Sequence, residues 1–361
     1  MSGTAPSLPR RRLLAAASAL AVARPCTARS ADAAFRFVSP PDSPAGVADA
    51  PYWVALRQSY FGALDVVLDP GPAAPLAGVR PVDRGQATLG ATRPEFLGLG
   101  LEQGMRLVSV WQAGAADQLA LAFRHGSAVA APKDFGGKTL LLDSAARRLA
   151  CDLLFAQAGL QPGEVSYVEA GPGWAQALAG GQGDAALGWE GLRAQWAGQG
   201  LGFDYLHGKA LTRLPGRCLV ARTADLADPA QRARLAAFLR GWAMGAAFAA
   251  RNPRAAAAIV GQNVPGFAAL PPPVATAALL QVAAAAGPLG AHDADSWARL
   301  LQTQTELGQT GLLRHPADVV SNDLVAAAGD FDRDAVLRDA DAFTLPPEFA
   351  LVDPDTLGAA P

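Results

Sequence analysis

Residues 128–190 decide the fold of this chain, and they read AVAAPKDFGGKTLLLDSAARRLACDLLFAQAGLQPGEVSYVEAGPGWAQALAGGQGDAALGWE. The apolar run 139–142 has the length of a buried strand. Ser144, which follows it, is a favourable N-cap residue, because its hydroxyl can accept a hydrogen bond from a free backbone N–H of the next turn. Leucines then recur at helical spacing until Gly159, a residue suited to ending a helix. The segment therefore predicts a strand followed by a helix.

The same alternation continues to the end of the stretch. A second apolar strand is predicted at 165–168, a helix at Trp174–Ala179 and a third strand at 185–187. Strands that alternate with helices through short connections form a parallel sheet covered by helices. Ligands of such sheets bind outside the carboxyl ends of the strands.

Short phrases of this sequence resemble a known family in their order and spacing. They are KDFGGK (133–138), AGL (158–160), ALAGGQGDA (177–185), SYFGALDVVL (59–68), RGQATLG (84–90) and NPRAA (252–256). The chain resembles type II periplasmic solute-binding proteins from about residue 35 to 328. The most similar group is the sulfonate, nitrate, taurine and thiamine-pyrimidine binders called NMT1/THI5-like.

This resemblance implies a two-lobe α/β fold, in which each lobe is a sheet flanked by helices and two hinge crossings join the lobes. Lobe I is expected at 34–126 plus 216–328, lobe II at 127–215, and a partly ordered surface extension at 329–361. Proteins of this kind act as monomers without a cofactor. They close on a small solute and deliver it to the membrane permease of an ABC importer, which works with an ATPase.

The first 33 residues are expected to be an export signal. Arg10-Arg11 precede the uncharged run 13–23, which begins with Leu13-Leu14 and is too short to span a bilayer. Ala31-Asp32-Ala33 has the small residues of a cleavage site. The twin arginines are similar to those of a twin-arginine signal, and an ordinary secretory signal is the alternative. Either route places the mature chain in the periplasm, with cleavage near Ala33.

Charge and cysteine content limit the partners. Removing residues 1–33 takes away five of the 30 basic residues and one of the 32 acidic ones, which leaves a net charge of about −6. A surplus of acids argues against a nucleic-acid partner. Cys151 lies on the apolar side of the helix predicted after Ser144, and Cys218 lies in an apolar run, so both are expected to be buried thiols. A disulfide between them is the alternative in an oxidising compartment.

The sequence offers no catalytic or metal-binding pattern. The four histidines are not spaced as metal ligands, and nucleophile elbows, P-loops and dinucleotide-binding glycine patterns are missing. The family also contains pyrimidine-synthesis enzymes that carry a cysteine-rich cluster, and this chain lacks one. We therefore expect a receptor rather than an enzyme. A THI5-like enzyme and an extracytoplasmic sensor subunit are the alternatives of other classes.

Candidate ligand contacts come from the ends of predicted strands and the starts of helices. In lobe I they are Asp49, Tyr52, Trp53, Thr92, Arg93, Asp117 and Gln118; in lobe II they are Asp143, Ser144, Trp174, Trp189 and Glu190. Thr92 and Ser144 are expected to cap helices whose N–H groups face the cleft. The alternatives to a ligand contact are that Trp53 packs between helix and sheet and that Arg93 and Glu190 are exposed to solvent.

Aromatic and acidic residues dominate this set. Trp174 and Trp189 would hold a flat ring between them, and the carboxylates would accept its N–H groups. The sequence thus favours an aminopyrimidine or another planar heteroaromatic. A sulfonate, nitrate or taurine receptor of the same fold is the alternative.

Overall fold

The computed structural model describes residues 34–40, 46–72, 74–114, 116–286 and 290–357. Its strands are β1 (Phe35–Val38), β2 (Val66–Asp69), β3 (Leu89–Thr92), β4 (Leu107–Gln112), β5 (Leu119–Phe123), β6 (Thr139–Leu142), β7 (Ser166–Glu169), β8 (Ala185–Trp189), β9 (Asp204–His207) and β10 (Cys218–Arg222). The predicted export signal lies outside the described residues.

The helices in the first two thirds of the chain are α1 (Ala50–Arg57), α2 (Arg80–Asp83), α3 (Pro94–Glu102), α4 (Arg148–Gln157), α5 (Trp174–Ala179), α6 (Leu192–Gly198), α7 (Thr223–Ala227) and α8 (Pro229–Arg251). Those that follow are α9 (Pro253–Asn263), α10 (Pro265–Ala268), α11 (Pro272–Ala286), α12 (Ala294–Glu306), α13 (Val325–Gly329), α14 (Arg333–Asp341), α15 (Pro347–Ala350) and α16 (Pro354–Leu357). No helix in the described part of the chain is both long and apolar enough to cross a membrane.

The strands form two five-stranded mixed sheets flanked by helices, which confirms the predicted fold class. The lobe I sheet has the order β2-β1-β3-β10-β4, and the lobe II sheet has the order β7-β6-β8-β5-β9. In each sheet three neighbouring strands are parallel, and one strand, β10 or β5, runs antiparallel to its neighbours. The strands predicted from residues 128–190 are three of the five in lobe II.

The first crossing lies earlier than the sequence predicted. The sequence predicts that lobe I extends to residue 126 and therefore includes β5. Strand β5 instead pairs with β8 of the lobe II sheet, from Leu119↔Trp189 to Phe123↔Ala185. The first crossing is therefore the segment between Gln112 and Leu119. Strand β9, which the sequence did not predict, pairs with the other edge of β5.

The second crossing lies between His207, where β9 ends, and Cys218, where β10 begins. One buried amide is hydrogen-bonded to both crossings. Gln112 Nε2 donates to the carbonyl of Gly114, at 2.8 Å, and to that of Gly216, at 2.6 Å. Its Oε1 accepts a hydrogen bond from Trp297 Nε1 at 2.9 Å. A Cβ atom on Gly216 would lie 2.3 Å from the Ala116 carbonyl oxygen, so this close approach of the two backbones requires glycine.

The expectation of a partly ordered surface extension after residue 329 is wrong for the residues described there. Val336 and Ala340 of α14 are fully buried and belong to a cluster with Phe248 of α8 and Ile259 of α9. Arg251 forms a bidentate ion pair with Asp341 at 2.7 and 2.9 Å. The segment through Leu357 is therefore part of the lobe I structure.

Candidate functional site

Side chains of both lobes meet in a small space, the cleft pocket, at the carboxyl ends of β3 and β8. Its volume is about 40 Å³. Its lining is Val47, Ala48, Arg93, Asp117, Gln118, Leu119, Arg147, Trp189, Glu190, Arg217 and Val282. Five of the twelve predicted contacts are brought together here, namely Arg93, Asp117, Gln118, Trp189 and Glu190.

In lobe I and the first crossing, each acid at or beside the pocket already has an arginine. Arg93 contacts Asp117 through two nitrogens, with Nη2 2.6 Å from Oδ2, and it also donates through Nε to Glu95. Burial raises the pKa of Glu95, an effect that Arg93 partly offsets. Arg217 Nη1 lies 2.9 Å from Asp49 Oδ1. Asp49 therefore contacts an arginine of the pocket lining but does not line the pocket itself.

Lobe II repeats this arrangement. Glu190 is buried and accepts from Arg193 Nη2 and from His207 Nδ1, each at 2.9 Å. Arg147 Nε lies 3.3 Å from Asp143 Oδ1, and its guanidinium carbon lies 4.5 Å from the centre of the Trp189 ring. Neither Asp143 nor Glu190 therefore depends on a ligand for a hydrogen-bond donor.

Trp174 and Trp189 stack on each other rather than around a ligand. Their ring centres are 6.0 Å apart and their planes differ by 23°. A third ring needs about 3.5 Å on each side, so it does not fit between them in this arrangement. Trp174 Nε1 donates to the Leu187 carbonyl at 2.6 Å, which fixes that indole in the lobe II core.

Four other predicted contacts lie apart from the lining. Tyr52 packs in the lobe I core, where burial raises its pKa to about 12, and Trp53 lies edge-on to it with ring centres 4.9 Å apart. The hydroxyl of Thr92 donates to the Arg93 carbonyl, and Arg93 itself is the N-cap residue of α3. Ser144 precedes a 3₁₀ turn and makes no capping hydrogen bond, which contradicts its predicted role.

Sequence reasoning missed two arginines of the cleft pocket. Arg147 could have been found, because it lies four residues after Asp143 on a predicted helix and so on the same face. Arg217 could not, because its partner Asp49 is 168 positions away. With Arg93, these side chains place three guanidinium groups around a space of about 40 Å³. Such groups bind oxyanions through paired N–H donors.

The described residues hold no cluster of histidine, cysteine and carboxylate side chains suited to a metal ion. Cys151 lies in α4 and Cys218 in β10, and both are buried, in agreement with the sequence. Burial raises the pKa of the Cys151 thiol, which keeps it protonated.

A larger space, the lobe I cavity, adjoins the cleft pocket. Its volume is about 470 Å³. It is lined by Val47, Ala48, Ala50, Pro51, Trp111, Ala113, Gly114, Gln118, Arg217, Trp242, Ala243, Ala246, Ala247, Ala249, Ala250, Leu279, Val282, Ala283, Val325, Gly329, Phe331 and Arg333. Val47, Ala48, Gln118, Arg217 and Val282 line both spaces, so the two are contiguous.

The family model described as NMT1/THI5 like matches residues 48–256. The chain belongs to this family. No curated protein sequence matches it closely. The matched segment contains both crossings and all but two of the residues that line the cleft pocket, the exceptions being Val47 and Val282.

Solved structures share the fold at low identity. The alkanesulfonate-binding protein SsuA from Xanthomonas axonopodis pv. citri, bound to MOPS, is 18% identical with a TM-score of 0.57, and the match covers 82% of this chain and 97% of that one. The periplasmic aliphatic sulphonate binding protein SsuA from Escherichia coli is 19% identical with a TM-score of 0.58, covering 80% and 92%. A desulfurization enzyme, DSZB, is 14% identical with a TM-score of 0.52, covering 82% and 98%.

Proposed function

We propose that this protein is the exported solute-binding component of an ABC importer and that it captures a small oxyanion-bearing solute in the cleft pocket. Three arginines from both lobes converge on that pocket, and this observation carries the proposal. An anion held between them contacts both lobes at once, so its binding favours the closed arrangement. Membership of the NMT1/THI5-like family supports the role in solute capture.

The geometry favours an anion over the heteroaromatic solute that the sequence suggested. The aminopyrimidine hypothesis needed an open slot between Trp174 and Trp189 and carboxylates that lacked donors. The two indoles stack on each other, and Asp117 and Glu190 are paired with arginines. The sulfonate, nitrate or taurine alternative therefore becomes the preferred ligand class.

Arg147 and Arg148 provide a matched pair for testing this proposal. Arg147 lines the cleft pocket, whereas Arg148 is exposed on the start of α4 and contacts Asp152. We expect Arg147→Gln to weaken binding of methanesulfonate or nitrate at least tenfold, because a hydrogen bond to a charged group contributes about 1.5–3 kcal/mol. Arg148→Gln should leave the affinity unchanged. Isothermal titration calorimetry measures both.

The same titrations separate the alternatives. Tight binding of an aminopyrimidine, with no heat from either anion, would refute the oxyanion proposal. Chemical change of a sulfonate recovered after incubation would favour an enzyme over a receptor. Export is tested separately by fractionating cells that carry Arg10→Lys and Arg11→Lys together, since unchanged export would exclude the twin-arginine route.

A further inference from the structure

Two carboxyl groups share one arginine on the lobe I side of the cleft pocket. Arg93 donates through Nε to Glu95, and its Nη2 lies 2.6 Å from Asp117 Oδ2. Arg93 and Asp117 line the pocket, whereas Glu95 is 3% exposed and lies outside the lining. When both carboxyl groups are ionised, this cluster has a surplus negative charge at the place where an anion would bind, and the two charges repel each other.

Burial makes the ionisation of Glu95 costly. Removal from water is the largest cause that raises its pKa, the charge of Asp117 adds to the rise, and Arg93 only partly offsets it. A carboxyl group in this position gains a proton more readily when a further negative charge approaches. The protonated form keeps a carbonyl oxygen that can accept the N–H of Arg93, so proton uptake need not break that contact.

Helices α12 and α4 present groups to this cluster that hold their charge state. From α12, Gln304 Nε2 donates to the Glu95 backbone carbonyl at 3.1 Å. From α4, Cys151 is close enough to feel the charge of Arg93, but its thiol stays protonated because burial raises its pKa. Arg147 and Arg217 complete the positive side of the lining, and a guanidinium group does not lose its proton in a protein.

Lobe II has the opposite balance of charge. Glu190 is a single carboxyl group that accepts from both Arg193 and His207, each at 2.9 Å. Asp143 and Asp49 are each paired with one arginine of the lining. An excess of carboxyl groups over guanidinium groups is therefore found at Arg93, and His207 is a second group near the pocket that exchanges protons.

We propose that the cleft pocket binds its anion together with a proton, and that Glu95, which contacts Arg93 from outside the lining, takes up this proton. Proton uptake removes the surplus charge and leaves Arg93 and Asp117 as a balanced pair beside the anion. The proton comes from the solvent, and no covalent bond of the ligand changes. This inference rests on the proposed function, since it concerns the same anion in the same pocket.

Methanesulfonate and nitrate test the proposal, because both stay ionised at every pH used and any pH dependence then belongs to the protein. Affinity should be constant at the acidic end and fall by about tenfold between about pH 5.5 and about pH 9.5, since a nearby like charge shifts a carboxyl pKa by about one unit. Calorimetry in two amine buffers of different ionisation enthalpy should show proton uptake where this profile is steepest. Sulfonate and phosphate buffers are avoided because they are oxyanions themselves.

Three glutamine substitutions locate the proton. Glu95→Gln replaces the carboxyl group by a neutral one of the same shape, so methanesulfonate should bind with the low-pH affinity at every pH and without proton uptake. Glu102→Gln makes the same change at an exposed site on the last turn of α3 and should keep the profile of the unmodified protein. His207→Gln should keep it too, because the proton is taken up in lobe I. Thermal melts establish that each variant is folded.

Each other outcome is decisive. If methanesulfonate binds equally well at every pH and without proton uptake, this inference is wrong and the proposed function stands. The inference is also wrong if Glu95→Gln keeps the full pH dependence. Should Glu95→Gln not fold, proton uptake that persists in His207→Gln supports the inference, and its loss there refutes it. If neither methanesulfonate nor nitrate binds at any pH, the proposed function fails and the inference fails with it.

Discussion

Acid should destabilise this protein through His292, a buried side chain of lobe I. Its Nε2 lies 2.7 Å from Ser109 Oγ and its Nδ1 lies 2.8 Å from Asn322 Oδ1. These contacts suit a neutral imidazole that donates from Nδ1 to the amide oxygen and accepts at Nε2 from the hydroxyl. Burial lowers the pKa of His292 from 6.5 to about 4, and the hydrogen bond to Asn322 only partly offsets this.

The size and sign of the effect follow from this pKa difference. Between pH 6.5 and about pH 4 the unfolded chain binds a proton at His292 that the folded protein does not bind, so the free energy of unfolding falls as the pH falls. A difference of about 2.5 pKa units corresponds to a loss of about 3 kcal/mol by pH 4. Above pH 6.5 the histidine is neutral in both states and contributes no pH dependence.

Urea denaturation of the unmodified protein and of His292→Gln, from pH 8 to pH 4, measures this contribution. The variant need not match the unmodified protein in stability, because only the change of the difference with pH matters. We expect the unmodified protein to lose about 3 kcal/mol more than the variant over this range. Parallel pH profiles for the unmodified protein and His292→Gln would refute the reasoning.

Three further predictions concern single side chains. Asp49→Asn should lower the free energy of unfolding, measured in urea, by about 3 kcal/mol, because Arg217 loses its charged partner. Added methanesulfonate should recover part of this loss. An equal loss with and without the anion would contradict the prediction. Gly245→Ala should lower the melting temperature, although alanine has the better helix propensity. The added Cβ atom would lie 2.0 Å from the Pro51 carbonyl oxygen, and the resulting strain costs about 2 kcal/mol or more. An unchanged melting temperature would count against the close packing of α1 and α8. Cys151 should react with N-ethylmaleimide only after unfolding, as burial shields the thiol and raises its pKa, so rapid labelling of the native protein would be the contrary result.

Local signals in the sequence were enough for the architecture. Proline at the first turn and a capping side chain before it mark the starts of α8 and α9, where Asp228 and Asn252 accept backbone N–H bonds as such positions normally do. The apolar runs of lobe II predicted β6, β7 and β8 to within two residues. Strand β9 was missed because its sequence, DYLH, has one fully apolar aliphatic residue and lies at a sheet edge.

The candidate site was predicted less well because its pairings are not local. The ends of strands indicated where Asp117 and Glu190 would lie, but not that Arg93 and Arg193 would already satisfy them. Trp174 and Trp189 were both placed correctly on lobe II, yet which faces they present depends on side-chain packing that no spacing rule encodes. The contact between Arg217 and Asp49 requires the whole of lobe II to fold between them.

The side-chain amide of Gln112 lies where a hinge axis between the two lobes is expected. This planar amide is hydrogen-bonded to both crossings and to Trp297, so a sliding motion of one lobe past the other would break several hydrogen bonds. A rotation about the backbone torsions of Gly114 and Gly216 would preserve these hydrogen bonds. In a swivel, displacement grows with distance from the axis. We therefore expect spin labels on the outer rims of the lobes to report large distance changes on anion binding and labels beside Gln112 to report almost none. Equal changes at both positions would mean that the amide is no pivot.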